Sequence, residues 1–117
     1  MATFKIGKGD TAPSLKAQLK DADGPFDLAD CSVEFVMATS LTAVEKVRAV
    51  ATIVNPDAPE GDPDRGRVQY DWVLADTDTA GTYLGEFEVT LPSNAIITFP
   101  NDANKKFKVI VGLTLGD

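Results

Sequence analysis

Residues 67–90 read RVQYDWVLADTDTAGTYLGEFEVT, and this stretch decides the fold. Along residues 67–73, Val68, Tyr70 and Trp72 alternate with Arg67, Gln69 and Asp71. Along residues 81–90, Tyr83, Phe87 and Val89 alternate with Thr82, Glu86 and Glu88. Successive side chains of a strand point to opposite faces, so a period of two marks one buried face and one wet face. Residues 76–81 between them are polar, end in Ala-Gly and suit a turn. The stretch predicts two strands at the edge of a β-sandwich.

The same grammar extends outward. Residues 3–7 predict a first strand with Phe4 and Ile6 on one face, and residues 9–13 break it. Residues 14–20 put Leu15, Ala17 and Leu19 inward against Lys16, Gln18 and Lys20 outward. Asp-Gly marks a turn over residues 21–24, since glycine takes a positive φ at little cost. Phe26 and Leu28 then point the same way, and residues 32–38 form a strand with Val33, Phe35 and Met37 inward. Residues 39–46 read as a loop, although Thr42 and Glu45 fit a capping box for one helical turn. Residues 47–54 read as one strand, with Val47, Ala49, Ala51 and Ile53 inward. The loop over residues 55–66 contains three prolines and four acidic residues. Turns at residues 91–94 and 100–104 flank a short strand at 95–99. A last strand over 107–115 puts Phe107, Val109, Val111, Leu113 and Leu115 on one face.

About eight strands with short polar turns predict an all-β fold. The expected architecture is a two-sheet antiparallel β-sandwich, immunoglobulin-like, as a single domain over residues 1–117. Tyr83 follows Asp78-Thr79-Ala80-Gly81-Thr82. That spacing suits a tyrosine corner, in which the hydroxyl bonds back to the upstream backbone. An ordinary core tyrosine is the alternative. Gly85 stands where an antibody domain has its second cysteine, so any likeness to that class is architectural.

The chain's 117 residues suffice for one core without disulfide support. Eighteen acidic against eleven basic residues give a net charge of −7, which repels nucleic acid and anionic lipid. No run of about 18 apolar residues exists, so no membrane span is expected. The N-terminus lacks the apolar core of a secretory signal. Cys31 is the one cysteine and is expected as a small, half-buried apolar residue at a strand start, in a protein that matures in a reducing cytosol.

The chain has no histidine, which removes the commonest base near neutral pH and the commonest zinc ligand. The carboxylates cluster in turns instead of a buried cleft. No enzyme activity and no cofactor are expected. Asp57, Glu60, Asp62 and Asp64 could gather around Ca²⁺, which wants several oxygens. Arg65 interrupts that set, and a solvated acidic loop without a metal is the expectation. Asp76 and Asp78 are expected to accept backbone N–H bonds in their turn. Residues 7–11, GKGDT, lack the spacing of a phosphate-binding loop. Val36, Val50, Val54, Leu84 and Ile110 place apolar side chains at nominally outward positions. A contiguous exposed apolar patch marks an interface, so these five are the candidate contact surface.

Six segments taken together resemble the N-terminal domain of the phage baseplate upper protein family of tailed phages. They are KGDTAPSL at 8–15, LKDADGPFDL at 19–28, VEFVM at 33–37, RVQYDW at 67–72, DTDTAGTYLGEFEV at 76–89 and TFPN at 98–101, in that order. The resemblance implies a non-enzymatic virion module, a minor tail or baseplate component assembled in the bacterial host cytoplasm. Its partners would be other virion proteins, in multiple copies within a symmetric assembly, with no nucleic acid or membrane contact. Family members often continue into a long C-terminal region that bears receptor-binding or fibre-attachment parts. A chain ending at Asp117 points instead to a small stand-alone subunit. The alternatives are a head decoration or head–tail connector subunit, or a carbohydrate-binding module. The last would need exposed coplanar aromatics, whereas Trp72, Tyr70 and Tyr83 fall on core faces.

Overall fold

A computed structural model describes residues 3–40, 42–100 and 106–113. In chain order the strands are β1 (Thr3–Gly7), β2 (Leu15–Gln18), β3 (Lys20–Asp21), β4 (Gly24–Pro25), β5 (Ser32–Ala38) and β6 (Glu45–Val50). They continue as β7 (Thr52–Ile53), β8 (Arg67–Tyr70), β9 (Gly81–Thr90), β10 (Ile96–Phe99) and β11 (Phe107–Gly112). One 3₁₀ turn, Leu74–Asp76, precedes β9. The larger sheet runs β1-β11-β9-β5-β6, with β10 also on β9. The smaller runs β2-β8-β7, and β3 and β4 form a separate hairpin.

The fold is an all-β sandwich. Its pairings are antiparallel except that β1 lies parallel to β11, with Phe4 opposite Val109 and Ile6 opposite Val111. β9 is the backbone of the larger sheet. One of its edges carries β5 from Leu84 to Thr90. The other is shared by β11, against Gly81–Gly85, and β10, against Phe87–Thr90.

Residues 67–90 therefore do not form a sheet edge. β8 is the middle strand of the smaller sheet and β9 is central to the larger one, so the turn between them carries the chain across the sandwich. Alternation specifies that a strand has one buried face. It does not specify which strand lies beside it. The single strand expected at 47–54 is corrected for the same reason. It breaks at Ala51, whose N–H donates to Val33 C=O at 2.9 Å, and β7 then joins β8 in the other sheet. Both sheets face one core, so the inward positions keep their rhythm while the partner changes. Residues 39–46 hold no helical turn among those described, and Glu45 already begins β6. Leu113 is 76% exposed, contrary to the expected inward face, and Leu115 lies outside the described residues.

The core centres on Phe35, which has no exposed surface. Its ring lies 4.7 Å from Tyr70, 5.5 Å from Trp72, 5.4 Å from Phe87 and 6.1 Å from Phe107. Such pairs contribute about 0.5–1.5 kcal/mol each beyond their buried area. Gly85 belongs to this cluster by having no side chain. A Cβ there would meet the Phe107 ring at 2.4 Å, so the bare backbone of β9 is the bed on which that ring lies. The position that holds a disulfide in antibody domains here holds an aromatic against glycine.

The tyrosine corner is present. Tyr83 is buried, and its hydroxyl donates to Thr79 C=O at 2.7 Å. A second buried anchor holds the same turn. Asp76 accepts the Tyr70 hydroxyl at 2.6 Å and the Val73 N–H at 3.0 Å. Burial, and next the bond to Asp76, push the Tyr70 phenol well above its ordinary value. Thr77 is also buried and ties the turn to residues 9–10, donating to Asp10 C=O and accepting the Gly9 N–H, each at 2.8 Å.

Candidate docking surface

The outer face of the larger sheet carries three of the five candidate residues close together. Val36 of β5 lies opposite Arg48 of β6 and Glu86 of β9. Leu84 lies opposite Ala38 on one side and Lys108 on the other. Ile110 lies opposite Thr82, which makes it a diagonal neighbour of Leu84, within reach of a long side chain. Val36, Ala38, Leu84, Glu86, Glu45 and Lys106 border a shallow depression of about 210 Å³.

The other two candidates lie apart. Val50 is 78% exposed but stands opposite Glu34, at the far end of β6. Val54 is 47% exposed and follows β7 beside the smaller sheet, where its N–H donates to Arg67 C=O. Val36 is itself only 6% exposed, so the expectation that it stands free on the surface is corrected. The half-buried pair Leu84 and Ile110 is what remains of a patch on this face. The sequence reading did not name Val44, Val73, Leu74 or Ile96, all well exposed. Val44 lay in an ambiguous loop, and Val73 follows the last inward residue of its run, so alternation alone could have marked the second.

A charge cluster separates Val50 from that pair. Glu34 and Glu88 stand directly opposite one another across β5 and β9, a like-charge pairing that destabilises a sheet. Arg48 from the next strand offsets it. Its guanidinium reaches Glu34 at 3.2 Å, Glu45 at 2.7 Å and Glu88 at 2.8 Å. Hydrogen bonds from Arg48 hold the Glu88 and Glu45 carboxyls below the ordinary glutamate value. The Arg48 guanidinium is pushed up in turn, first by Glu45 and then by Glu88. Nearby, Lys106 is buried, lies 3.3 Å from Glu86 and donates to Pro100 C=O. Lys46 pairs with Asp78 at 2.8 Å, and this bond, followed by that from Thr79, lowers the Asp78 carboxyl. Asp78 thus binds the Lys46 and Thr79 side chains, and Asp76 accepts the Val73 backbone N–H as expected of this turn.

The loop over residues 55–66 is stitched to itself. Asp62 accepts the Asp64 N–H at 2.9 Å, Arg65 donates to Ala58 C=O at 3.2 Å, and Ala58 is buried. Among the described residues no three metal-ligating side chains converge. Cys31 is half-buried just before β5, within reach of the Ala29 carbonyl at 3.5 Å. Burial, then Asp27 and Asp30, push its thiol up, away from the reactive thiolate.

No protein-family model matches this chain, and no curated protein is similar to it. Among solved structures it is similar to CopC from Methylosinus trichosporium OB3b. The two are 13% identical, with a TM-score of 0.44, over 97% of this chain and 86% of that one. At that level the likeness carries nothing about function.

Proposed function

We propose that this chain is a non-enzymatic structural protein of a tailed-phage virion, a minor tail or baseplate component that works by docking to other virion proteins. The observation that carries the reading is the ordered series of six segments that resemble the baseplate upper protein family. In the fold these segments are anchors and turns. They include the β3–β4 hairpin, the inward run Val33–Phe35–Met37, the Tyr70–Trp72 pair of the core and the Tyr83 corner. A rigid sandwich that presents a face to its neighbours in a ring needs that kind of specification and no catalytic centre.

A carbohydrate-binding module fits less well, because a sugar platform needs exposed rings. None of the nine aromatic side chains stands exposed, and Trp72, Tyr70 and Tyr83 are all buried. Image reconstruction of assembled particles, with the protein marked by a fused tag, tests the proposal. Density for the tag in the tail or baseplate is the expected result. Density on the head makes the chain a decoration or connector subunit, and its absence from particles sinks the virion reading. The Leu84→Asp, Ile110→Asp double variant tests the face itself. It should fold and fail to incorporate, and normal incorporation would move the contact surface elsewhere.

A further inference from the structure

Among the described residues β2 is an edge strand of the smaller sheet, paired with β8 on one side and with no strand on the other. Its register sets Gln18 opposite Arg67, and the Leu19 N–H donates to Gly66 C=O at 2.7 Å. In an antiparallel ladder the bonded and non-bonded positions alternate. Leu15 and Ala17 therefore turn their backbone groups toward β8, as Leu19 does its N–H, while the Leu19 C=O accepts the Phe26 N–H at 2.8 Å. Lys16 and Gln18 turn theirs toward the free edge.

Two hollows open between the sheets along that edge. One, of about 180 Å³, is bordered by Thr3, Phe4, Leu15, Lys16, Ala17 and Phe107. The other, of about 220 Å³, lies further along and is bordered by Leu19, Lys20, Phe99 and again Ala17 and Phe107. Shared lining makes them one interrupted groove, floored by aromatic rings. The first hollow meets residues 15–17 of this edge and the second residues 17–20, a step of roughly two residues. Strands rise about 3.3 Å per residue, so the side chains at positions i and i+2 of an added strand match that offset.

We infer that the β2 edge is a docking site for an extended segment of a partner protein, which adds a strand to the smaller sheet. Two apolar side chains at i and i+2 fill the hollows, and acidic side chains between them face Lys16 and Lys20. The charge follows from the rim. Lys16 of β2 and Lys20 of β3 are exposed on the outward side of this edge, and among the described residues no carboxylate borders either hollow. Asp71, a carboxylate that feels Lys16, lies on the β8 side and is engaged by Ser14 and Gln69. A second copy of this chain is a poorer occupant. Its own edge would bring Leu15 of β2 and the adjoining Leu19, which are already buried in its own core, and leave the hollows unfilled. Strand addition of this kind takes affinity from main-chain hydrogen bonds and selectivity from alternate side-chain pockets. The inference is independent of the virion reading.

The probe is a blocked synthetic peptide alternating Glu with Val and Leu. Its control has the same composition with the apolar residues adjacent. Titration calorimetry should give saturable one-to-one binding for the alternating peptide only. Hydrogen exchange should then show protection gained at the Lys16 and Gln18 amides. Gln18→Pro removes a free-edge donor and should abolish binding. If that variant does not fold, the Lys16→Glu, Lys20→Glu variant decides, with an expected loss of about tenfold and reduced salt dependence. Three results overturn the inference. They are no saturable heat up to about 1 mM alternating peptide, equal binding of the control, or a peptide-free dimer in sedimentation that the lysine reversals change, which would assign the edge to a second copy.

Discussion

Trp72 gives the sharpest test of the core, because its two halves act in opposite directions. The ring is 4% exposed and lies 5.6 Å from Phe4, 5.5 Å from Phe35 and 5.4 Å from Tyr70. Its Nε1–H is buried and has no hydrogen-bond partner among the described residues. Trp72→Ala deletes the packing and should cost about 3–5 kcal/mol. Trp72→Phe is a different perturbation. The smaller ring leaves about 40 Å³ unfilled, which at about 24 cal/mol per Å³ costs about 1 kcal/mol, with a transfer loss of similar size. Against this, it removes an unpaired buried donor whose desolvation costs about 1–3 kcal/mol. The two terms nearly cancel, so Trp72→Phe should stay within about 1 kcal/mol of the parent. Urea unfolding followed by far-ultraviolet circular dichroism measures both variants without relying on the tryptophan signal. A Trp72→Phe loss as large as that of Trp72→Ala would refute the reasoning. It would mean that Nε1–H makes a bond worth keeping.

The two buried tyrosines should separate in the same assay. Tyr83→Phe loses one bond to a carbonyl and should cost about 1 kcal/mol, whereas Tyr70→Phe leaves the buried Asp76 side chain with the Val73 N–H alone and should cost about 1.5–3 kcal/mol; equal losses would remove Asp76 as an anchor. Acid should also weaken the fold. Glu88 is held below its ordinary 4.5 in the folded state, so its contribution is complete above that value and is lost as pH falls through the lowered one. Thermal melts should therefore decline below about pH 4.5, and Arg48→Gln should shrink the decline. An undiminished decline in that variant would place the acid sensitivity elsewhere.

Much of the architecture was legible from local pattern. β1, β5 and β9 match the expected strands because each has one face fully committed to the core, and the Tyr83 corner needs only residues close in the chain. What was not legible depends on which strands become neighbours. The break at Ala51 leaves no mark on the alternation. Gly85 could be recognised as the missing cysteine, but the Phe107 ring that requires a glycine there comes from the last strand described. The Glu34–Glu88 repulsion and its relief by Arg48 involve three strands, and no spacing along the sequence encodes that meeting.

Val36 shows why the docking face was the least legible part. Alternation counts it outward, and outward it is, yet it is buried between Arg48 and Glu86, whose long side chains flank it across the sheet. Extended charged side chains cover apolar surface with their methylene stems while their heads stay wet. An apolar residue on a nominally wet face can therefore belong to the protein's own packing. This removes Val36 from the candidate surface and leaves Leu84 with Ile110, near Lys108, as a small patch. So small a patch docks weakly by itself, since stable interfaces bury about 800 Å² per partner. Assembly through this face would need its charged surroundings to take part. The β2 groove differs in kind. It offers backbone groups of Lys16 and Gln18 that no described strand pairs, together with aromatic-lined hollows between the sheets. If the Leu84→Asp, Ile110→Asp variant incorporates normally while Lys16→Glu, Lys20→Glu does not, assembly runs through the edge of the smaller sheet and the face of the larger one is ordinary solvated surface. The reverse outcome assigns assembly to the face.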